Sequence, residues 1–339
     1  MPLPASGAFL RSFAFDDGIV VQDGTSGQIW LLEGEPARAW PRDGEPAAPG
    51  QASPAPVPAP APAGPPALEL TVAQGSMAAR VRCWEPVLAR TFAGALAPLV
   101  SDGGAAACTI DLYPSADGPV VAVDGMLAHR PGSLGLGRWL ALRRLAVELA
   151  PGRHWLALLH AATVAMPFGA VILAATSGSG KTTLAGALLA AGGALLSDDI
   201  TPIEAGSRQA WPFPLAMSVK EGSWPLFARM HADFALTVPV SIGTTRVRYF
   251  APARRSAPRG QPVAMVIVPR YRAGARLDRQ RLRPIELLRS LVESGTWPPA
   301  AGRDLTDLLA WLERVPAFRL TYGDLDEAVA AIGAIGRQA

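Results

Sequence analysis

The chain has 339 residues, half of them hydrophobic, with 31 lysines and arginines against 28 acidic residues and a formal net charge of +3. That length buries a large core and allows more than one domain, and its scattered basic residues lack the clustered footprint of a nucleic-acid binder. Two cysteines, Cys83 and Cys108, make neither a disulfide framework nor a metal site, and no basic, apolar leader opens the chain, so a reducing cytoplasm is the expected setting.

In residues 1–40 the runs "IVVQD" and "QIWLLE" read as strands separated by the turn-forming "GTSG", a small β-rich segment. A lone hairpin is marginal in water and must pack on the main body, another chain or a peptide. Residues 41–66 form a proline- and alanine-rich tract with the composition of a semi-rigid polyproline linker. Residues 67–150 read as an α+β lead-in. "ACTIDLY" and "PVVAVDG" are strand-like, while "LGRWLALRRLAVELA" repeats apolar residues at three- and four-residue spacing with arginines between them, as an amphipathic helix does.

The run from Leu156 to Ala175 is apolar enough to suggest a membrane span. His160, Thr163 and Pro167 interrupt it and a glycine-rich loop ends it, so it reads as two buried elements. Over 151–339 the order becomes strand, loop, helix, strand: "GAVILAA", "TSGSG", "KTTLAGALLAAG", "GALLSDDI". Further strands follow in "PVAMVIVPRY" and "AFRLTYGD", and helices in "PIELLRSLVES" and "DLTDLLAWLERV". The fold class is α/β, with strands delivering loops to one edge of a sheet.

"ATSGSGKTT", residues 175–183, departs from the phosphate-loop pattern G-x-x-x-x-G-K-[ST] only in having Ala175 for the first glycine. A strand running through a glycine-rich turn into a helix gathers backbone N–H groups and the positive end of a helix dipole at one point, which suits a polyphosphate. Thr176, Ser177, Gly178, Ser179 and Gly180 form the cradle. Lys181 reaches the terminal phosphates, Thr182 offers a hydroxyl to Mg²⁺, and Thr183 completes the motif. A chance glycine-rich turn is the rival reading.

Downstream, "ALLSDD" ends in Asp198 and Asp199. Paired aspartates can simply cap a turn; beside a Mg-nucleotide they can divide two roles, one on the metal side and one orienting or deprotonating an acceptor hydroxyl. His160, in "LLHAATVAM", reads equally as a hydrogen-bonded core residue. Only Lys181 and Lys220 among the 31 basic residues are lysines. Lys220 is the first candidate for a cation on the transferring phosphate, with Arg246 and Arg248 behind it, and each also fits an ordinary surface charge.

The series "LLHAATVAM", "AVILAATSGSGKTTLAGALLAAGGALLSDD", "WPFPLAMSVKEGSW" and "TYGDLDEAV" resembles the HPr kinase-related proteins, relatives of the nucleotide-binding domain of HPr kinase/phosphorylase, over roughly residues 150–335. The resemblance implies a P-loop fold similar to HPr kinase and phosphoenolpyruvate carboxykinase. It implies ATP or another phosphoryl donor, Mg²⁺, and an acceptor serine on a protein or peptide, as in the tail kinases of lasso-peptide clusters. In that reading Asp198 is the catalytic carboxylate, Asp199 and Thr182 lie on the metal side, and His160 matches the family's upstream histidine. The glycine-rich signature tied to phosphorylase activity is missing, which leaves phosphorylase activity and hexameric assembly open; a homo-oligomer of another kind is not excluded. Residues 1–40 resemble the start of a PqqD-type peptide-recognition module, which binds a leader by β-augmentation. Two other functions fit the same residues: a nucleotide-binding adaptor or ATPase in a peptide-modification system, and a small-molecule kinase. No nucleic-acid or membrane partner is expected.

Overall fold

The computed structural model describes residues 10–15, 18–23, 29–33, 56–253, 259–296 and 302–338. Among the described residues the protein is mixed α/β, its strands forming five sheets. The first is an antiparallel meander of β1 (Leu10–Phe15), β2 (Gly18–Asp23) and β3 (Ile29–Glu33). It therefore has one strand more than the hairpin expected from the sequence. Its inward residues Phe15 and Val20 join a cluster with Leu305, Leu308 and Trp311, so the meander packs on the main body.

Most of the proline-rich tract, residues 41–55, lies outside the described residues. Its end is tied down: the Val57 carbonyl accepts from Leu127 N (2.8 Å), Pro60 O accepts from the Tyr113 hydroxyl (2.5 Å), and Gly64 O accepts from Trp84 Nε1 (2.8 Å). Proline lacks an N–H, but extended backbone still offers its carbonyls, and the neighbouring sheet uses them. That five-stranded sheet orders β4 (Leu68–Gln74), β5 (Met77–Cys83), β6 (Cys108–Ser115), β7 (Gly118–Val123) and β8 (Met126–His129) in sequence. Its one parallel pair, β5 with β6, is bridged by a crossover through helix α1 (Pro86–Leu96). Helix α2 (Leu134–Glu148) packs against β6 and β7.

The apolar run at 156–175 forms three strands where two elements were expected: β9 (Trp155–Leu159), β10 (Ala162–Met166) and β11 (Gly169–Leu173). The chain breaks at residues 160–161 and turns again at 167–168, where the next strand opens on Gly169, whose φ of +127° and closeness to the Pro262 carbonyl leave no room for a Cβ. No described helix is long and apolar enough to cross a membrane. Next come α3 (Lys181–Ala190), β12 (Ala194–Ser197), β13 (Thr201–Glu204), β14 (Met217–Lys220), α4 (Trp224–Met230), β15 (Pro239–Ile242) and β16 (Thr245–Phe250). The chain ends with β17 (Val263–Tyr271), β18 (Asp278–Arg281), α5 (Pro284–Glu293), α6 (Gly302–Leu312), β19 (Ala317–Tyr322) and α7 (Leu325–Gly336).

The central sheet has the order β12-β10-β11-β17-β19-β18. Strands β11, β17 and β19 are mutually parallel; β10 is antiparallel to both β11 and β12, so β12 points the same way as β11. The carboxyl ends of β11, β12, β17 and β19, and the entry to β10, therefore meet at one edge. Side chains along β11 alternate between faces. Val171 and Leu173 pack with Leu184, Leu188 and Ile332 of α3 and α7, whereas Ile172 packs with Leu288 and Leu308 of α5 and α6.

Helix α1 lies against β15 and β16. A Cβ on Gly94 would stand 2.0 Å from Tyr249 Cδ2, closer than packing permits. Gly94→Ala is expected to lower unfolding stability by about 1–3 kcal/mol, the usual penalty of overpacking, measured by urea denaturation.

Candidate active site

The phosphate-loop motif leaves β11 and enters α3, as the strand–loop–helix pattern requires. Gly178 and Gly180 have φ of +90° and +94°, in the left-handed region that favours glycine. Ala175 is not among the described non-glycine residues with positive φ, and it is 5% exposed, so alanine fits where the motif has glycine. The Ser179 carbonyl accepts from Tyr271 N (3.1 Å), tying the loop to β17. Thr176, Ser177 and Gly178 are exposed, and residues 179–183 are half-buried at the start of α3. There the first N–H groups lack intrahelical partners and the helix dipole is positive. The Thr183 hydroxyl is engaged with Ser223 Oγ (2.8 Å), while Thr182 and Ser179 have no side-chain partner among the described residues.

Asp198 and Asp199 follow β12 at the same edge. Asp198 is 1% exposed; its Oδ2 accepts from Ser218 N (3.1 Å), and its buried Oδ1 has no partner among the described residues. Burial, reinforced by the neighbouring charge of Asp199, pushes the Asp198 carboxyl well above the ordinary carboxylate range. Asp199 takes the left-handed conformation, φ +68°. Burial opposes its charge, but Arg138, Lys181, His160 and Lys220 together hold its carboxyl below the ordinary range. Arg138 approaches Asp199 Oδ2 at 3.8 Å, and His160 Nε2 approaches Oδ1 at 3.9 Å. The environment thus separates the affinities of two adjacent carboxyls for a proton.

His160 sits in the break between β9 and β10. Its backbone N donates to Thr296 Oγ1 (2.9 Å), its ring bonds the Ser294 backbone, and Gly295, at φ +95°, lets the chain pass close to Nδ1. Burial first, then the charge of Lys181, lowers its pKa and favours the neutral imidazole. Lys220, at the end of β14, donates to Ser177 Oγ (2.5 Å) and so stands at the loop. Lys181 makes no ion pair with a described residue, yet its charge favours the ionised forms of both aspartates.

The structure thus gathers Asp198, Asp199, His160, Lys181 and Lys220 at one edge. Arg246 and Arg248 have contacts of their own. Arg246 pairs with Glu221 Oε1 (2.6 Å), and Arg248 stacks over Trp224 (4.6 Å) and Phe234 (5.5 Å). Sequence reasoning missed Arg138, which α2 carries from the lead-in region to Asp199. Its signal was an arginine sharing a helical face with buried Ala141, Leu142 and Leu145. It also missed Tyr249, whose hydroxyl bonds the Ser218 and Thr91 side chains. No protein-family model matches the chain, and no curated protein does.

The raised Asp198 carboxyl has a consequence for stability. The unfolded chain loses this proton near the ordinary value, about pH 4, while the folded one retains it to higher pH, so the protein loses stability as pH rises through that window. Asp198→Asn removes this penalty. Its melting temperature is expected to exceed the wild-type value at about pH 8 and to converge with it at about pH 4, followed by circular dichroism.

Proposed function

We propose that the protein is a Mg-ATP-dependent phosphotransferase acting on a hydroxyl, with a serine of a protein or peptide as the acceptor class, on a P-loop fold similar to HPr kinase. The observation that carries this reading is the unpartnered, buried Oδ1 of Asp198 at the same sheet edge as the lysine-bearing loop. A binding module needs a carboxylate on the metal side; it has no use for a second, protonatable one that leaves an oxygen without a partner among the described residues.

The residues present suit a Mg-nucleotide. The loop N–H groups and Lys181 fit the phosphates, and the Thr182 hydroxyl and the ionised Asp199 carboxylate are the oxygen ligands that Mg²⁺ prefers. Bound there, Mg²⁺ supplies charge neutralisation to the phosphate oxygens. Asp198 Oδ1 orients the acceptor hydroxyl and takes its proton as the new O–P bond forms and the bond to the departing nucleoside diphosphate breaks. A carboxyl with a raised pKa is a better proton acceptor than an ordinary one. Lys220, at Ser177, offers positive charge to the transferring group. Arg138, with Lys181 and Lys220, holds Asp199 ionised.

Incubation of serine-containing peptides with labelled ATP, followed by mass spectrometry, tests the reading. Phosphoserine is the expected product, and Asp198→Asn is expected to slow its formation by about 10²–10⁴-fold while leaving nucleotide binding in place. Free phosphate with no phosphorylated peptide or protein is the outcome of an adaptor or ATPase and contradicts the kinase assignment.

A further inference from the structure

We propose that the ring face of Tyr271 is the platform on which the base of the bound nucleotide stacks, an inference that rests on the phosphate-loop reading above. The loop strand β11 has the acidic pair on one side, beyond β10 at the end of β12, and the parallel strands β17 and β19 on the other. A nucleotide lying across the loop with its terminal phosphate toward Asp198 directs its nucleoside end to the carboxyl ends of β17 and β19. Ligands of open α/β sheets occupy this carboxyl edge.

Tyr271 is the last residue of β17 and is 52% exposed, the sole aromatic among the large hydrophobic side chains that are exposed in the described residues. It is fixed beside the loop. Its N–H donates to Ser179 O (3.1 Å), and its Cβ lies 3.1 Å from the point a Cβ on Gly180 would occupy. Behind it stands Tyr322, the last residue of β19 and its register partner, with ring centroids 5.8 Å apart at 60°. Tyr322 is 1% exposed, and its hydroxyl, buried without a partner among the described residues, ends 2.7 Å from the same point on Gly180. Two tyrosines in tilted contact at adjacent strand ends, Tyr322 buried for support and Tyr271 half-exposed, place an aromatic surface next to the phosphate cradle. A base laid on it covers apolar area and stacks whatever its identity, since every base has a π-face.

The test compares a ligand that has a base with one that does not. Wild-type protein is titrated calorimetrically with Mg-ATP and with Mg-tripolyphosphate, and Tyr271→Ala and Tyr271→Trp are titrated likewise. Tyr271→Ala is expected to weaken ATP binding by about tenfold, the scale of one stacked base, with tripolyphosphate affinity unchanged, and Tyr271→Trp to retain ATP affinity. Wild-type ATP affinity in Tyr271→Ala overturns the inference, as does an equal loss for both ligands, which would mean that the ring only braces the loop. Wild-type protein that binds neither compound overturns the phosphate-loop reading, and this inference with it.

Discussion

Two adjacent carboxylates at one sheet edge, Asp198 buried and Asp199 partly so, are the constraint around which this protein is arranged. Removing a charge from water is costly unless a counter-charge or hydrogen bond replaces the lost solvation, and two like charges side by side raise the cost further. The chain meets it unequally. Asp199 turns into the left-handed region and collects the charges of Arg138, Lys181 and Lys220. Asp198 is offered only backbone N–H groups, those of Ser218 and Asp199, among the described residues, and favours its proton. An acidic pair built only for stability would be paired on both members; this one leaves an oxygen of Asp198 unpartnered among the described residues.

The same constraint explains why the lead-in region belongs to the site. Helix α2 is anchored on its own sheet by Leu142 and Leu145, and it uses the position one turn earlier for Arg138. Helix α1 supports the other side, with Gly94 admitting the ring of Tyr249 and Thr91 bonding its hydroxyl. Loss of the packing between the two regions would expose the aspartates and remove the main cation of Asp199 together, so stability and electrostatics are coupled through one interface.

Local signals in the chain made much of this legible. The loop glycines are readable because positive φ requires them, and Asp198 and Asp199 because a short apolar strand delivers them directly to the edge. What was not legible depends on distant partners. Arg138 looks like any arginine of an amphipathic helix until the fold brings Asp199 to it. The additional N-terminal strand, "LRSFAF", is β1, and the "DDG" after it was the turn signal that could have revealed it. The apolar run after Trp155 hides three strands, because buried strands carry no polar alternation to mark where one ends. Lys220 was suspected from its rarity, and its reach to Ser177 follows from β14 ending beside the loop.

The central claim is that the loop and the acidic pair form one site for a Mg-polyphosphate. It is tested most directly by the melting temperature with and without Mg-ATP, in wild-type protein and in Lys181→Met. Ligand that binds only the folded state stabilises it by mass action, about 2.7 kcal/mol at a hundredfold excess over Kd. The account predicts a rise in the wild type that is larger with Mg²⁺ than without it, and its loss in Lys181→Met. An undiminished rise in Lys181→Met, or none in the wild type, would contradict it.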